Sequence, residues 1–110
     1  MPSDECLDMK YQLVLQWPGV SVEDYDRLIL LEETIRDGLG DIGIVDGHDL
    51  GSGEMNIFVH TDNPNPTFEK VKDLVAGGEN LKESKVGYRD FEEDDYTPIY
   101  PQGLKQFSVI

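Results

Sequence analysis

The sequence predicts an α+β fold in which two helices lie over one face of an antiparallel sheet. Three features predict it. Short runs alternate apolar and polar residues, as half-buried strands do. Two other stretches place apolar residues three and four apart, as amphipathic helices do. The two kinds follow one another as β-α-β-β-α-β-β. With 110 residues, the chain fits a single domain, 1–110, and leaves no room for a second core.

Residues 1–8 read as a frayed leader. From Met9 to Gln16, the side chains of Met9, Tyr11, Leu13 and Leu15 point one way, and those of Lys10, Gln12, Val14 and Gln16 the other. Trp17-Pro18-Gly19 breaks this strand. Ser21 followed by Asp24 has the form of a capping box. The helix it opens runs from Val22 to Leu39, with Tyr25, Leu28, Leu31, Ile35 and Leu39 along one stripe. Gly38 and Gly40 end it. Two strand-like runs, Ile42 to Leu50 and Glu54 to Thr61, flank Gly51-Ser52-Gly53. Glycine's access to positive φ makes this a β-hairpin.

Asn65-Pro66 suits a cap and first helical residue. The second helix carries Phe68, Val71, Leu74 and Val75 on one face and stops at Gly77-Gly78. Val86 to Phe91 and Tyr96 to Tyr100, joined by the acidic turn Glu92 to Asp95, form a second hairpin. The order is that of a ferredoxin-like βαββαβ sandwich with an extra C-terminal edge strand. Residues 102–110 form a tail whose Phe107, Val109 and Ile110 are apolar enough to dock.

The 9 basic and 23 acidic residues give a formal charge of -14. Such a surface repels phosphate backbones and anionic headgroups, so neither nucleic acid nor a membrane is an expected partner. It attracts cations and basic proteins. Cys6 stands alone among the acids Asp4, Glu5 and Asp8, which excludes an internal disulfide and disfavours a reactive thiolate. A reducing, cytoplasmic setting is expected, since there is no secretory signal and no membrane-length apolar run.

The most unusual stretch is Asp46-Gly47-His48-Asp49-Leu50-Gly51-Ser52-Gly53-Glu54. If the hairpin turn has three residues, Leu50 faces Glu54, His48 faces Asn56, Asp46 faces Phe58 and Ile44 faces His60. Met55, Ile57 and Val59 then lie under the helices. Asp46, His48, Glu54, Asn56, Phe58 and His60 occupy the open face, joined by Gln12, Gln16 and Arg89. That mixture suits a polar small molecule, although any open antiparallel face is polar because it meets water.

No metal site is expected. On this pairing His48 and His60 stand about 13 Å apart along the strands and cannot share an ion. The calcium-loop template fails at His48, Leu50 and Ile57, where oxygen ligands are required. Gly-Ser-Gly at a hairpin tip is neither a nucleophile elbow nor a phosphate cradle. On the helix side, Glu32 falls in the apolar stripe and Asp49 shares the parity of Met55 and Ile57. Both acids are read as structural, bonding the backbone amides of the turn formed by Gly51, Ser52 and Gly53. Gly43 and Gly47 on that side suggest a close helix approach.

Three segments carry a resemblance to a family of small, acidic bacterial proteins of ferredoxin-like fold. They are Asp46-Gly47-His48-Asp49 with Gly51-Ser52-Gly53-Glu54, Asn56-Ile57-Phe58 with Thr61-Asp62, and Tyr88-Arg89-Asp90 to Asp95-Tyr96-Thr97. The resemblance implies a bacterial, cytoplasmic, single-domain protein and brings no activity, cofactor or catalytic residue with it.

The expected function is non-enzymatic binding, the acidic surface and open sheet engaging a basic protein partner or a second copy of the chain, with Phe58 and Tyr88 as anchors. One alternative is a small-molecule or metal sensor, or an enzyme, using His48, Asp46, Glu54 and Asn56. Another is an immunity protein masking a basic toxin.

Overall fold

The computed structural model describes residues 9–19, 21–51, 53–75 and 84–109. In chain order these form β1 (Tyr11–Pro18), α1 (Val22–Leu39), β2 (Ile44–Gly51), β3 (Glu54–Thr61), α2 (Pro64–Leu74), β4 (Lys85–Asp90) and β5 (Thr97–Tyr100). The sheet has the order β2-β3-β1-β4-β5, and every neighbouring pair is antiparallel. This is the ferredoxin-like α+β sandwich, with β5 added outside β4. The expectations placed on Cys6, Ser52, the Gly77-Gly78 stop and Ile110 lie outside the described residues.

The core forms where the strand and helix periodicities meet. Leu13, Leu15 and Trp17 of β1, Met55, Ile57 and Val59 of β3, and Val86 of β4 face Leu28, Leu31, Ile35 and Leu39 of α1 and Phe68 and Val71 of α2. Each fully buried leucine or isoleucine contributes about 2 kcal/mol of transfer free energy. Trp17 and Pro18 extend β1 rather than ending it, because Trp17 has the inward parity and completes the apolar row.

Helix α1 opens on the capping box that Ser21 and Asp24 predict. The Ser21 hydroxyl accepts from the Asp24 amide at 3.1 Å, and the Asp24 carboxylate accepts from the Ser21 amide at 3.3 Å. Such a cap contributes about 1 kcal/mol. Tyr25 leaves the buried stripe and stays exposed at the sheet margin. Helix α2 begins two residues earlier than the Asn65-Pro66 signal suggests, with Asn63 as N-cap and Pro64 as first residue. Pro66 is tolerated because the first-turn amides lack intrahelical acceptors anyway. The junction is closed by threonines: Thr61 Oγ1 donates to the Ile42 carbonyl (2.9 Å), accepts from the Asn63 amide (3.0 Å) and bonds Thr67 Oγ1 (2.7 Å).

The hairpin departs from the expected register. Its turn has two residues, so Gly51 pairs with Glu54, Leu50 with Met55, Asp49 with Asn56, and His48 with Ile57. Gly53 takes the positive φ, 79°, that so short a turn demands. A bulge at Asp46 then adds one unpaired residue between the Val45–Val59 and Gly47–Phe58 pairs and restores the expected Ile44–His60 match. A one-residue slip exchanges the faces of a strand. His48 therefore lies under the helices and Asp49 outside, the reverse of expectation. Gly43 does sit under close contacts, its absent Cβ 3.1 Å from Val59 Cγ1, but nothing lies within 4 Å of the corresponding point on Gly47. No helix among the described residues is long and apolar enough to cross a membrane.

Candidate functional site

The face of the sheet opposite the helices collects most of the predicted polar set. Gln12 stands between His60 of β3 and Arg89 of β4, and Gln16 between Asn56 and Lys85. Glu54 and Phe58 share the parity of Asn56, and the bulge turns Asp46 to the same side. This face is not open along its length. The tail beyond β5 folds back across its middle, and Phe107 packs directly on Gly87. A Cβ on that glycine would stand 2.7 Å from the ring. Gln16 Nε2 donates to the Ser108 carbonyl at 2.9 Å and to Asn56 Oδ1 at 3.0 Å. Val14, Gln16 and Asn56 are consequently buried. Tyr88, expected beside Phe58 as an outer anchor, instead packs against the core with its ring edge-on to Tyr11.

On one side of the tail Gln12 bonds both Arg89 and Tyr96. Gln12 Oε1 accepts from Arg89 Nε (3.3 Å) and from the Tyr96 hydroxyl (3.1 Å). Arg89 also donates to the Glu93 carbonyl at 3.0 Å and lies over the rings of Phe91 and Tyr96. Asp90 Oδ1 accepts from the Glu92 amide at 2.8 Å. The guanidinium thus clasps the acidic turn to the sheet. Beside it, His60 meets the edge of Phe91, with Nε2 3.6 Å from Asp46 Oδ2. Its Nδ1 is buried without a partner among the described residues.

On the other side lies a cleft of about 460 Å³ between the sheet and the tail, lined by Gln16, Glu54, Lys85, Asp95, Tyr96, Lys105 and Phe107 among others. A second pocket of about 270 Å³ shares Gln16, Glu54 and Lys85 and is walled by Trp17 and Pro18. Glu54 Oε1 is buried there and receives no hydrogen bond from the described residues. Among the described residues, no carboxylate lies within ion-pair distance of Lys85 or Lys105. Sequence reasoning missed both lysines. Lys85 was legible, since it shares the parity of Arg89. Lys105 was not, because a tail has no periodicity to place it.

His48 belongs to neither cluster. From the helix side of β2 its Nδ1 lies 3.0 Å from Glu32 Oε2 of α1, and Tyr25 meets its ring edge-on at 5.9 Å. Arg36 approaches the other Glu32 oxygen at 3.9 Å. The partner of Glu32 is this imidazole and not the expected turn amides. Asp49 is exposed on the opposite face, and Gly51 is the last residue of β2 rather than part of the turn. The proposed grouping of His48 with Asp46, Glu54 and Asn56 is thereby divided between two faces. A carboxylate-oriented imidazole is half of a general-base arrangement. Here His48 Nε2 bonds no hydroxyl or thiol among the described residues.

No group of three or more metal-ligating side chains converges among the described residues. The chain matches no family model, no curated protein and no solved structure.

Proposed function

We propose that this protein is a non-enzymatic binding module that takes an extended, basic segment of another protein along the outer edge of β2. The observation that carries the proposal is the edge itself. β2 is an eight-residue strand with β3 on one side and no described strand on the other. An edge with no described neighbour offers its backbone groups to a further strand. The opposite edge is poorly suited, because β5 has four residues and includes Pro98, which has no amide to donate.

Side chains around the β2 edge suit a partner of this kind. Tyr25 touches His48, Leu50 follows two residues later on the same face, and Val22 lies one helical turn before Tyr25. Val22, Tyr25 and Leu50 are all exposed, a short apolar strip beside the strand. Asp46 and Asp49 are exposed along the other side. The chain's charge of -14 repels a second copy and attracts a cationic partner, so a basic protein is favoured over self-pairing. Inhibition of a basic toxin is one form such binding could take.

A peptide of alternating lysine and valine tests this chemistry. By two-dimensional NMR it should shift and protect the β2 amides, with cross-strand contacts between peptide and β2. Binding should weaken steeply with salt and be lost in Leu50→Asp. Shifts spread over the acidic surface without β2 protection would reject the proposal.

A further inference from the structure

The structure carries a second, independent inference. We infer that the cleft between β1, β3, β4 and the tail binds a small zwitterion of the α-amino-acid type. Three observations converge on it. Glu54 lines the cleft, and its Oε1 accepts from no donor among the described residues. Lys85 and Lys105, two of only nine basic residues in the chain, line the same cleft as Asp95, and no carboxylate among the described residues lies within ion-pair distance of either. Glu54 and Lys85 also line the smaller pocket together, so a molecule filling it meets both charges.

Opposite charges that share a pocket without pairing call for a ligand that carries both. The ligand's ammonium group meets Glu54, and its carboxylate meets Lys85 and Lys105. Net charge favours the same class. At -14 the protein repels a simple anion from a distance, whereas a zwitterion approaches with no net charge. A simple cation gains nothing from the lysines and is drawn equally to the whole acidic surface. Pro18, on the same side of the sheet as Glu54, leaves an apolar surface for the side chain. A volume of about 460 Å³ is ample for a molecule of this size.

The test is calorimetric titration of the full chain with the standard L-amino acids, each beside its deaminated and its decarboxylated analogue. At least one amino acid should bind saturably, and both its analogues should bind about tenfold more weakly or worse. Glu54→Gln and Lys105→Ala should each weaken that amino acid by about tenfold with an unchanged circular-dichroism spectrum. If Glu54→Gln does not fold, Lys105→Ala, on the exposed tail, decides alone. The inference is overturned if no amino acid binds at about 10 mM, a weaker limit than most specific sites show. It is equally overturned if the deaminated analogue binds as well as the parent, or if the folded variants bind like the native protein.

Discussion

Glu32 is a carboxylate in the apolar stripe of a helix, only 5% exposed, and it is tolerated because His48 reaches it from the neighbouring strand. Removing one partner of a buried polar pair costs more than the pair contributes, because the other is left desolvated and unanswered. His48→Ala should therefore destabilise the fold by about 2 kcal/mol. Glu32→Leu should cost less, since leucine matches the surrounding stripe. Urea denaturation of both single variants and the double variant gives the coupling directly, and additive losses would show that the two side chains do not depend on each other. At this scale the sequence was only partly readable. The burial of Glu32 followed from its position in the α1 stripe. Its partner did not, because the face of His48 turns on a register that two glycines and a serine leave ambiguous.

The tail shows how an element without periodicity finds its place through a single residue. Gly87 is the smallest residue in the middle of the sheet's outer face, and Phe107 fills the space above it. The Tyr96 ring, 5.2 Å away, flanks the phenylalanine. Gly87→Ala brings a methyl within 2.7 Å of that ring and should lift the tail, costing about 1–3 kcal/mol. The expected signs are lost proximity between Phe107 and Tyr96 in NMR spectra and faster tryptic cleavage after Lys105. An unchanged cleavage rate would mean that the tail is held elsewhere. The helices, the hairpins and the strand order were legible because each has its own period and punctuation. Phe107 was visible as a residue able to dock, but where it docks depends on a contact far away in sequence.

Across the whole molecule, acids outnumber bases 23 to 9, and the folded state concentrates their mutual repulsion. Raising sodium chloride from a few millimolar to about 0.5 M shortens the Debye length to roughly 4 Å and should raise the melting temperature. A melting temperature indifferent to salt would place the acids too far apart to matter. The same salt should weaken partner binding at β2, so stability and binding are expected to respond in opposite directions. The α+β architecture was readable at this scale because alternation in strands and three-four spacing in helices agree along the chain. Assigning faces was harder, since a one-residue error inverts a whole strand.

The bulge at Asp46 has one further consequence. The pairs on either side of it are those of an unbroken ladder from which this residue has been left out. Two chains differing by a single insertion here would share every partner in the hairpin. Laid against each other without a gap, they would set His48 opposite a residue from the wrong side of the sheet. Length, at this point in the molecule, is a matter of comparison between sequences and not of architecture.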